Sequence, residues 1–314
     1  MYRIGVDLGG TNIAVGLVND DMKIVVKKSL PTGAERPAEK IVADIAALCR
    51  AVCDEAGVAL SDVAGVGIAT PGIANHDDGV VEYANNLPFR KLPIAKLLSE
   101  QTGIQSVKIE NDANAAAWGE AVAGAAKGTK NSVMITLGTG VGGGIIIDNK
   151  VYSGFNYAGG ELGHIVIQVD GAPCSCGRKG CWEAYSSATA LIRMTREKIE
   201  ECRATGRPTL MNDQPKVSGR TACDAMRAGD AAAKEVYDKY IKYLASGLAT
   251  IINIFQPEVI SLGGGVSNEG QSLIDSLLPI IRSEQYGGGV VPLTDIRIAT
   301  LGNDAGIIGA AMLN

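Results

Sequence analysis

Two segments of this chain, residues 7–20 (DLGGTNIAVGLVND) and residues 137–150 (LGTGVGGGIIIDNK), repeat one design, a Gly/Thr turn between two apolar runs. The apolar runs pair as hairpin strands. The turn glycines let the backbone approach an anion and offer it N–H groups where a side chain would block the way. A phosphate-holding hairpin written twice restricts the fold to two related halves and predicts that both close on one nucleotide. The length permits this, because 314 residues exceed the roughly 150 of a single domain.

Composition narrows the choice of partner. Hydrophobic residues make up 46% of the chain and charged residues 20%, which is globular, while 40 Gly against 3 Phe indicate tight turns rather than aromatic stacking. A net charge of −5 with no Lys/Arg run argues against nucleic acid, since a polyanion needs clustered cations, and leaves a small-molecule partner. The N-terminal apolar stretch is interrupted by Asp7, and the longest apolar run, residues 133–147, is Gly-rich and shorter than the ~18 residues of a membrane span. No secretory signal and no membrane partner are expected, and the cytoplasm is the expected location. In that reducing compartment the seven cysteines are expected as thiols, and Cys174, Cys176 and Cys181 share one loop, which favours a metal.

Periodicity gives strands at residues 3–8, 13–18 and 23–28, followed by a helix over 38–55. Its Ile41, Ile45, Leu48 and Val52 fall at i, i+4, i+7 and i+11, and Gly57 stops it. Short strands at 64–69 and 107–109 end in Thr70-Pro71-Gly72 and Glu110-Asn111-Asp112, two turns that point to a site. An Ala-rich helix follows over 113–126, and the strand-hairpin pattern restarts at 133–137. Later helices are expected at 184–203, 231–255, 271–284 and 304–313, with strands near 259–262 and 296–299. Residues 204–220 are polar, with two Pro and two Gly, and read as a surface loop without assigned function.

Six motifs in this order resemble the ROK family (repressors, open reading frames, kinases) of the actin-like, hexokinase-type ATPase superfamily. They are DLGGT (7–11), ENDANAAAWGE (110–120), LGTGVGGG (137–144), GELGH (160–164), CSCGRKGCWE (174–183) and LGGGVS (262–267), spread over nearly the whole chain. NNLPFR at 85–90 is similar to the glucose-phosphorylating branch. The resemblance implies a two-lobed α/β, ribonuclease H-like fold with an interlobe cleft. Residues 1–112 plus the C-terminal helix 302–314 would form the small lobe, and 113–301 the large lobe with the zinc loop. The implied activity is transfer of phosphate from MgATP to the 6-hydroxyl of glucose. Family members acting on N-acetylmannosamine, N-acetylglucosamine, allose or fructose, and a polyphosphate donor, stay open. A sugar-sensing regulator is less favoured, because the first hairpin begins at Asp7 and leaves no room for an N-terminal helix-turn-helix. A homodimer or homotetramer is also implied.

Phosphoryl transfer is catalysed by positioning and by charge neutralisation, and without a GxxxxGK[ST] loop that task falls to backbone amides and Mg²⁺. The resemblance puts Gly9, Gly10, Thr11 and Asn12, and Gly138, Thr139 and Gly140, at the phosphates, Asp7 near Mg²⁺, and Gly264 and Gly265 against the adenosine. Taken singly, each glycine serves only its own turn, and Asp7 is a strand-end acid. A sugar hydroxyl needs a carboxylate to take its proton. Asp112 matches the family's base, although local sequence reads it as a helix cap. Gly72, Asn86, Asn111, Glu161, His164 and Glu183 match sugar-contacting positions; by themselves Asn111 is a turn-former and Glu183 a solvated surface acid. Glu161 and His164, three apart, share one face of a helical turn. His164 with Cys174, Cys176 and Cys181 supplies the Cys₃His set of a closed, tetrahedral structural zinc site, which would hold the loop bearing Glu183. Cys49, Cys53, Cys202 and Cys223 are expected in the core, and His76 at the surface.

Overall fold

The computed structural model describes residues 1–213 and 216–313; Gln214 and Pro215 of the 204–220 loop, and Asn314 of the segment 302–314, lie outside the described residues. In chain order the elements are β1 (Tyr2–Leu8), β2 (Asn12–Val18), β3 (Ile24–Pro31), α1 (Ala38–Ala56), β4 (Val63–Thr70), β5 (Ile73–Asn75), β6 (Val80–Tyr83), β7 (Arg90–Leu92), α2 (Ile94–Thr102), β8 (Val107–Asn111) and α3 (Asp112–Val122). The chain continues with β9 (Ser132–Leu137), β10 (Val141–Ile147), β11 (Lys150–Val151), α4 (Glu183–Ser186), α5 (Ala188–Thr205), α6 (Thr221–Arg227), α7 (Ala231–Phe255), β12 (Val259–Gly263), α8 (Gln271–Glu284), β13 (Asp295–Ile298) and α9 (Ala305–Ala311). Contacts divide these into two compact units. Residues 1–134, 144–160 and 299–314 form one, and residues 135–143 and 161–298 the other, so α3 clusters with the first unit, beyond the boundary drawn at residue 112 from the sequence.

The duplicated motif reappears as duplicated topology. One sheet runs β3-β2-β1-β4-β8 and the other β11-β10-β9-β12-β13, so each glycine hairpin occupies the same place in its own sheet. In the first, β1 pairs antiparallel with β2 and parallel with β4, which pairs parallel with β8. A third sheet, β5-β6-β7, is a small antiparallel meander that the periodicity does not anticipate, since its strands are three or four residues long.

The period-2 alternation of strands decides what each face of the first sheet does. Ile4, Val6 and Leu8 of β1 and Val66 and Ile68 of β4 point into a core completed by Ile41, Ile45, Leu48 and Val52 of α1 and Leu98 of α2. The opposite face carries Gly5 and Gly67, and there helix α9 lies directly on the strand backbones. A Cβ on Gly5 would lie 1.9 Å from the Ile307 carbonyl oxygen, and one on Gly67 1.7 Å from that of Ala310. The crossing of α3 and α9 is equally close. Cβ atoms on Gly119 and Gly309 would come within 2.4 Å of the Ala305 oxygen and 1.7 Å of the Ala115 oxygen. Because Asp7 shares its face with Gly5, its carboxylate ends beside Gly306, whose added Cβ would lie 3.2 Å from Asp7 Cγ.

These contacts are backbone against backbone, so a methyl group can be admitted only by moving a helix. Gly309→Ala is expected to cost about 1–3 kcal/mol or more, the range of overpacked cores, and to lower the midpoint of thermal unfolding by several degrees. Gly219→Ala is the control, since its Cβ would meet only the Ala188 methyl at 3.9 Å. Equal melting temperatures for the two variants would show that α9 has room to move.

Candidate active site and metal centre

In the first unit the strand ends deliver the expected residues to one region. Asp7 pairs in register with Ala69, Ala69 with Glu110, and Thr70 with Asn111, so the acids of β1 and β8 emerge at one level of the sheet. The turn after β1 is closed by the Gly9 N–H to the Asn12 carbonyl at 2.8 Å and pinned by the Thr32 hydroxyl to the Gly9 carbonyl at 2.6 Å. Thr11 is held through its carbonyl by the Thr32 N–H at 2.9 Å. Gly10 sits against Asn86, whose Cβ would lie 3.1 Å from a Gly10 Cβ. Gly72 has φ +91°, and a side chain there would strike the Tyr83 carbonyl; its own carbonyl accepts the Asn111 Nδ2 donor at 3.1 Å.

The cap of α3 is Asn111, not Asp112. Asn111 Oδ1 accepts the N–H groups of Ala113 at 2.9 Å and Asn114 at 3.3 Å, which follows from the amide's reach to the N2 and N3 positions. Asp112 is the first helical residue; its Oδ1 accepts the Ala113 N–H at 2.8 Å, and the residue is exposed. Beneath this turn lies a pair that sequence reasoning missed. Glu110, 3% exposed, accepts the Asn111 N–H at 2.8 Å and the Asn114 Nδ2 at 3.0 Å through Oε1. Its Oε2 faces His76 Nδ1 at 3.3 Å. His76 is therefore half-buried rather than a surface residue, packed edge-on against Tyr157 with ring centres 4.9 Å apart. The Glu110 signal was present in the ENDAN motif; nothing in NHDDG marks His76.

In the second unit the turn of residues 138–140 is closed by the Gly138 N–H to the Gly140 carbonyl at 3.0 Å. The start of α5 holds it, with the Ala188 N–H on the Gly138 carbonyl at 2.9 Å and the Thr189 hydroxyl on the Thr139 carbonyl at 2.8 Å. Gly264, at φ +85°, lies against the Leu137 backbone, where a Cβ would stand 2.6 Å from the carbonyl oxygen, and Gly265 begins the 3₁₀ turn that follows. Glu161 leads into a 3₁₀ turn, Leu162–His164, so Glu161 and His164 stand one turn apart as expected. Glu183 is tied down. Its Oε2 accepts the Val141 N–H at 2.9 Å and its Oε1 the Ser175 hydroxyl at 3.1 Å.

His164, Cys174, Cys176 and Cys181 offer ligand atoms that all lie within 4.8 Å of one another. Sulfurs bound about 2.3 Å from a tetrahedral zinc are about 3.75 Å apart, and a zinc-bound nitrogen and sulfur about 3.6 Å. The spacings here are 3.7 Å for Cys176 Sγ to Cys181 Sγ and 3.6 Å for His164 Nδ1 to Cys174 Sγ, so the four side chains fit a zinc ion. The Arg178 backbone N–H holds the Cys176 thiol below its ordinary range, whereas burial pushes Cys181 up to about 12. A thiol with so high a pKa binds metal only by releasing its proton, so uptake weakens as pH falls.

Burial pushes the Asp7 carboxyl up to about 6, the negative charge of Asp112 adds to the rise, and Lys27 opposes it. A carboxyl with a raised folded-state pKa costs stability when ionised. The cost is full above about pH 6 and fades as pH falls toward the ordinary value of 3.8. At roughly 1.36 kcal/mol per pH unit it reaches about 3 kcal/mol. Asp7→Asn is accordingly expected to stabilise the protein at pH 7.5 by up to that amount, with the gain shrinking below pH 6. Urea unfolding at both pH values checks this, and a variant no more stable than wild type at pH 7.5 would show that Asp7 is not strained.

Among the described residues, no helix is long and apolar enough to cross a membrane. The sequence pattern of the ROK family matches residues 3–314. The chain is 37% identical over 313 residues to a glucokinase of Streptomyces coelicolor, covering 99% of this chain and 96% of that one. It is 33% identical over 320 residues to an N-acetyl-D-glucosamine kinase of Aliivibrio salmonicida, covering 99% and 98%. Among solved structures it is similar to a ROK family glucokinase from Streptomyces griseus in complex with glucose and AMPPNP, with 36% identity, a TM-score of 0.78 and coverage of 99% and 98%. The doubled hairpin sheets, the Cys₃His cluster and this full-length likeness have one explanation: the chain belongs to the ROK family and has the fold of its sugar kinases.

Proposed function

We propose that this protein is a sugar kinase that transfers the γ-phosphoryl group of ATP to the 6-hydroxyl of glucose. Full-length likeness to glucokinases carries the reading. The chemistry of the first unit supports it. Asp112 is an exposed carboxylate at a helix start, placed to accept a hydroxyl proton as the new bond to phosphorus forms. Asp7, strained by burial and by Asp112, is a carboxylate whose ionised form gains from a nearby cation. Gly9, Gly10, Thr11 and Asn12, with Gly138, Thr139 and Gly140, offer backbone donors to the phosphates, and Gly264 and Gly265 a flat approach to the purine. Gly72, Asn86, Asn111, Glu161, His164 and Glu183 supply the polar groups for sugar hydroxyls, and sites of this kind reject analogues that lack one. When bound, Mg²⁺ neutralises phosphate charge, and Zn²⁺ cross-links His164, Cys174, Cys176 and Cys181 beneath Glu183.

The likeness to N-acetyl-D-glucosamine kinases supports a second acceptor with the same chemistry. An ADP-release assay over glucose, mannose, fructose, allose and the two N-acetylhexosamines decides between them. Highest kcat/KM on an N-acetylhexosamine would replace glucose; no turnover on any sugar would end the kinase reading.

Asp112→Ala is expected to bind sugar and zinc and to lose on the order of 10²–10⁴ in kcat, the range for removal of a general base. A kcat near wild type would end the assignment of Asp112 as base. Cys176→Ser, or chelation of the metal, is expected to raise the glucose KM and lower the melting temperature together. Should protein shown by elemental analysis to lack zinc retain both values, the metal has no structural role.

A further inference from the structure

We infer that Glu110, supported by His76, is a positioning residue that fixes the orientation of Asp112. The inference rests on the reading of Asp112 as the base. Burying a carboxylate is costly unless hydrogen bonds meet it, and both donors that meet Glu110 Oε1 flank Asp112, the Asn111 N–H on one side and the Asn114 side chain on the other. One oxygen atom thus ties the last residue of β8 to the first turn of α3.

The consequence is geometric. Asn111 leaves the strand at φ −60° and ψ 147°, and the helix begins at the next residue. A rotation at this junction would swing the Asp112 carboxylate, and three restraints oppose it. The Asn111 side chain caps the helix, its Nδ2 is held by the Gly72 carbonyl, and Glu110 holds both the Asn111 N–H and Asn114. Of the three, only Glu110 brings a charge that must itself be held. His76 stands against it, with Nδ1 3.3 Å from Glu110 Oε2 and making no hydrogen bond, so that the ring closes the open side of the carboxylate. His76 is in turn fixed by the Tyr157 ring and by Asp77, whose Oδ1 lies 3.6 Å from Nε2 and whose Oδ2 accepts the Tyr157 hydroxyl at 2.7 Å.

The test is steady-state kinetics of Glu110→Ala, Glu110→Gln and Asn114→Ala on whichever sugar the wild-type protein phosphorylates, with zinc content and AMPPNP binding measured on each. A displacement of about 1 Å can cost 10²-fold, so Glu110→Ala is expected to lose on the order of 10² in kcat with sugar KM nearly unchanged. Glu110→Gln keeps an acceptor for both donors and should recover most of that loss. His76→Ala should lower kcat in the wild-type background but not in Glu110→Gln, where no buried charge is left to hold. Should Glu110→Ala fail to fold, Asn114→Ala, which removes one donor, should lower kcat with the same KM pattern. A Glu110→Ala or Asn114→Ala protein with wild-type kcat, a Gln variant as impaired as the Ala variant, or a rise in KM alone would overturn the inference. Full turnover by Asp112→Ala would instead strike the reading beneath it.

Discussion

The first unit carries two carboxylates, Asp7 and Asp112, close enough for the charge of one to disfavour ionisation of the other. Asp7 is the penultimate residue of β1 and Asp112 opens α3 directly after β8, and the pairing of β1, β4 and β8 sets the two strand ends at one level. Burial and Asp112's charge together push Asp7 up to about 6. The fold therefore stores a local cost near neutral pH, and it persists because the strands on either side are fully packed on their other face. In the proposed reaction Asp7 would attract a cation and Asp112 would accept the hydroxyl proton.

What holds the pair in place is the absence of side chains. Gly5, Gly67, Gly119 and Gly309 bring α9 onto β1 and β4, and α3 onto α9, at distances that even a methyl group forbids. Close approach of this kind leaves no soft layer to absorb displacement, because packed interiors transmit rather than dissipate small shifts. Asp7 gains its surroundings from the same contact, since Gly306 occupies the position where another residue would cover the carboxylate. The high glycine content has two separate causes. At Gly72 and Gly264 it answers a positive φ, and on the α9 face it answers a lack of space.

Much of this was legible in the sequence. The hairpins, α1 with its 3.6-residue period, and the Cys₃His set could be read because each depends on near neighbours in the chain. Elements set by distant contacts were not. The β5-β6-β7 meander has strands too short to show a period, and the helix expected over 184–203 is broken because Ser187 caps a new helix, its hydroxyl accepting the Ala190 N–H at 3.1 Å. The helix expected to reach residue 126 ends at Val122, where the Glu120 carboxylate turns to the N–H groups of Ala125, Thr300 and Leu301. His76 failed for the same reason: a polar run reads as surface, and only the tertiary structure supplies the buried acid that draws the ring inward. Assigning the cap to Asp112 was an error of one position. Both Asn and Asp cap well, and the choice is made by Gly72, whose carbonyl takes the Asn111 Nδ2 that an aspartate would lack.

The second unit shows how a candidate metal site can act on a glycine turn without touching it. Glu183 joins the two, with one carboxylate oxygen on the Val141 N–H at the edge of the hairpin and the other on the Ser175 hydroxyl inside the cysteine loop. Gly140 must be glycine for the joint to form, since a Cβ there would lie 2.3 Å from Glu183 Oε2. Gly163 fixes the other side, because its Cβ would stand 2.0 Å from the Val141 carbonyl, which sets the GELGH segment directly on the same strand. The residues around Val141 are thus gripped from the histidine arm and from the cysteine arm of one ligand set. Four ligands drawn to one centre would hold both arms at fixed separation, and the turn between Gly138 and Val141 would inherit that rigidity.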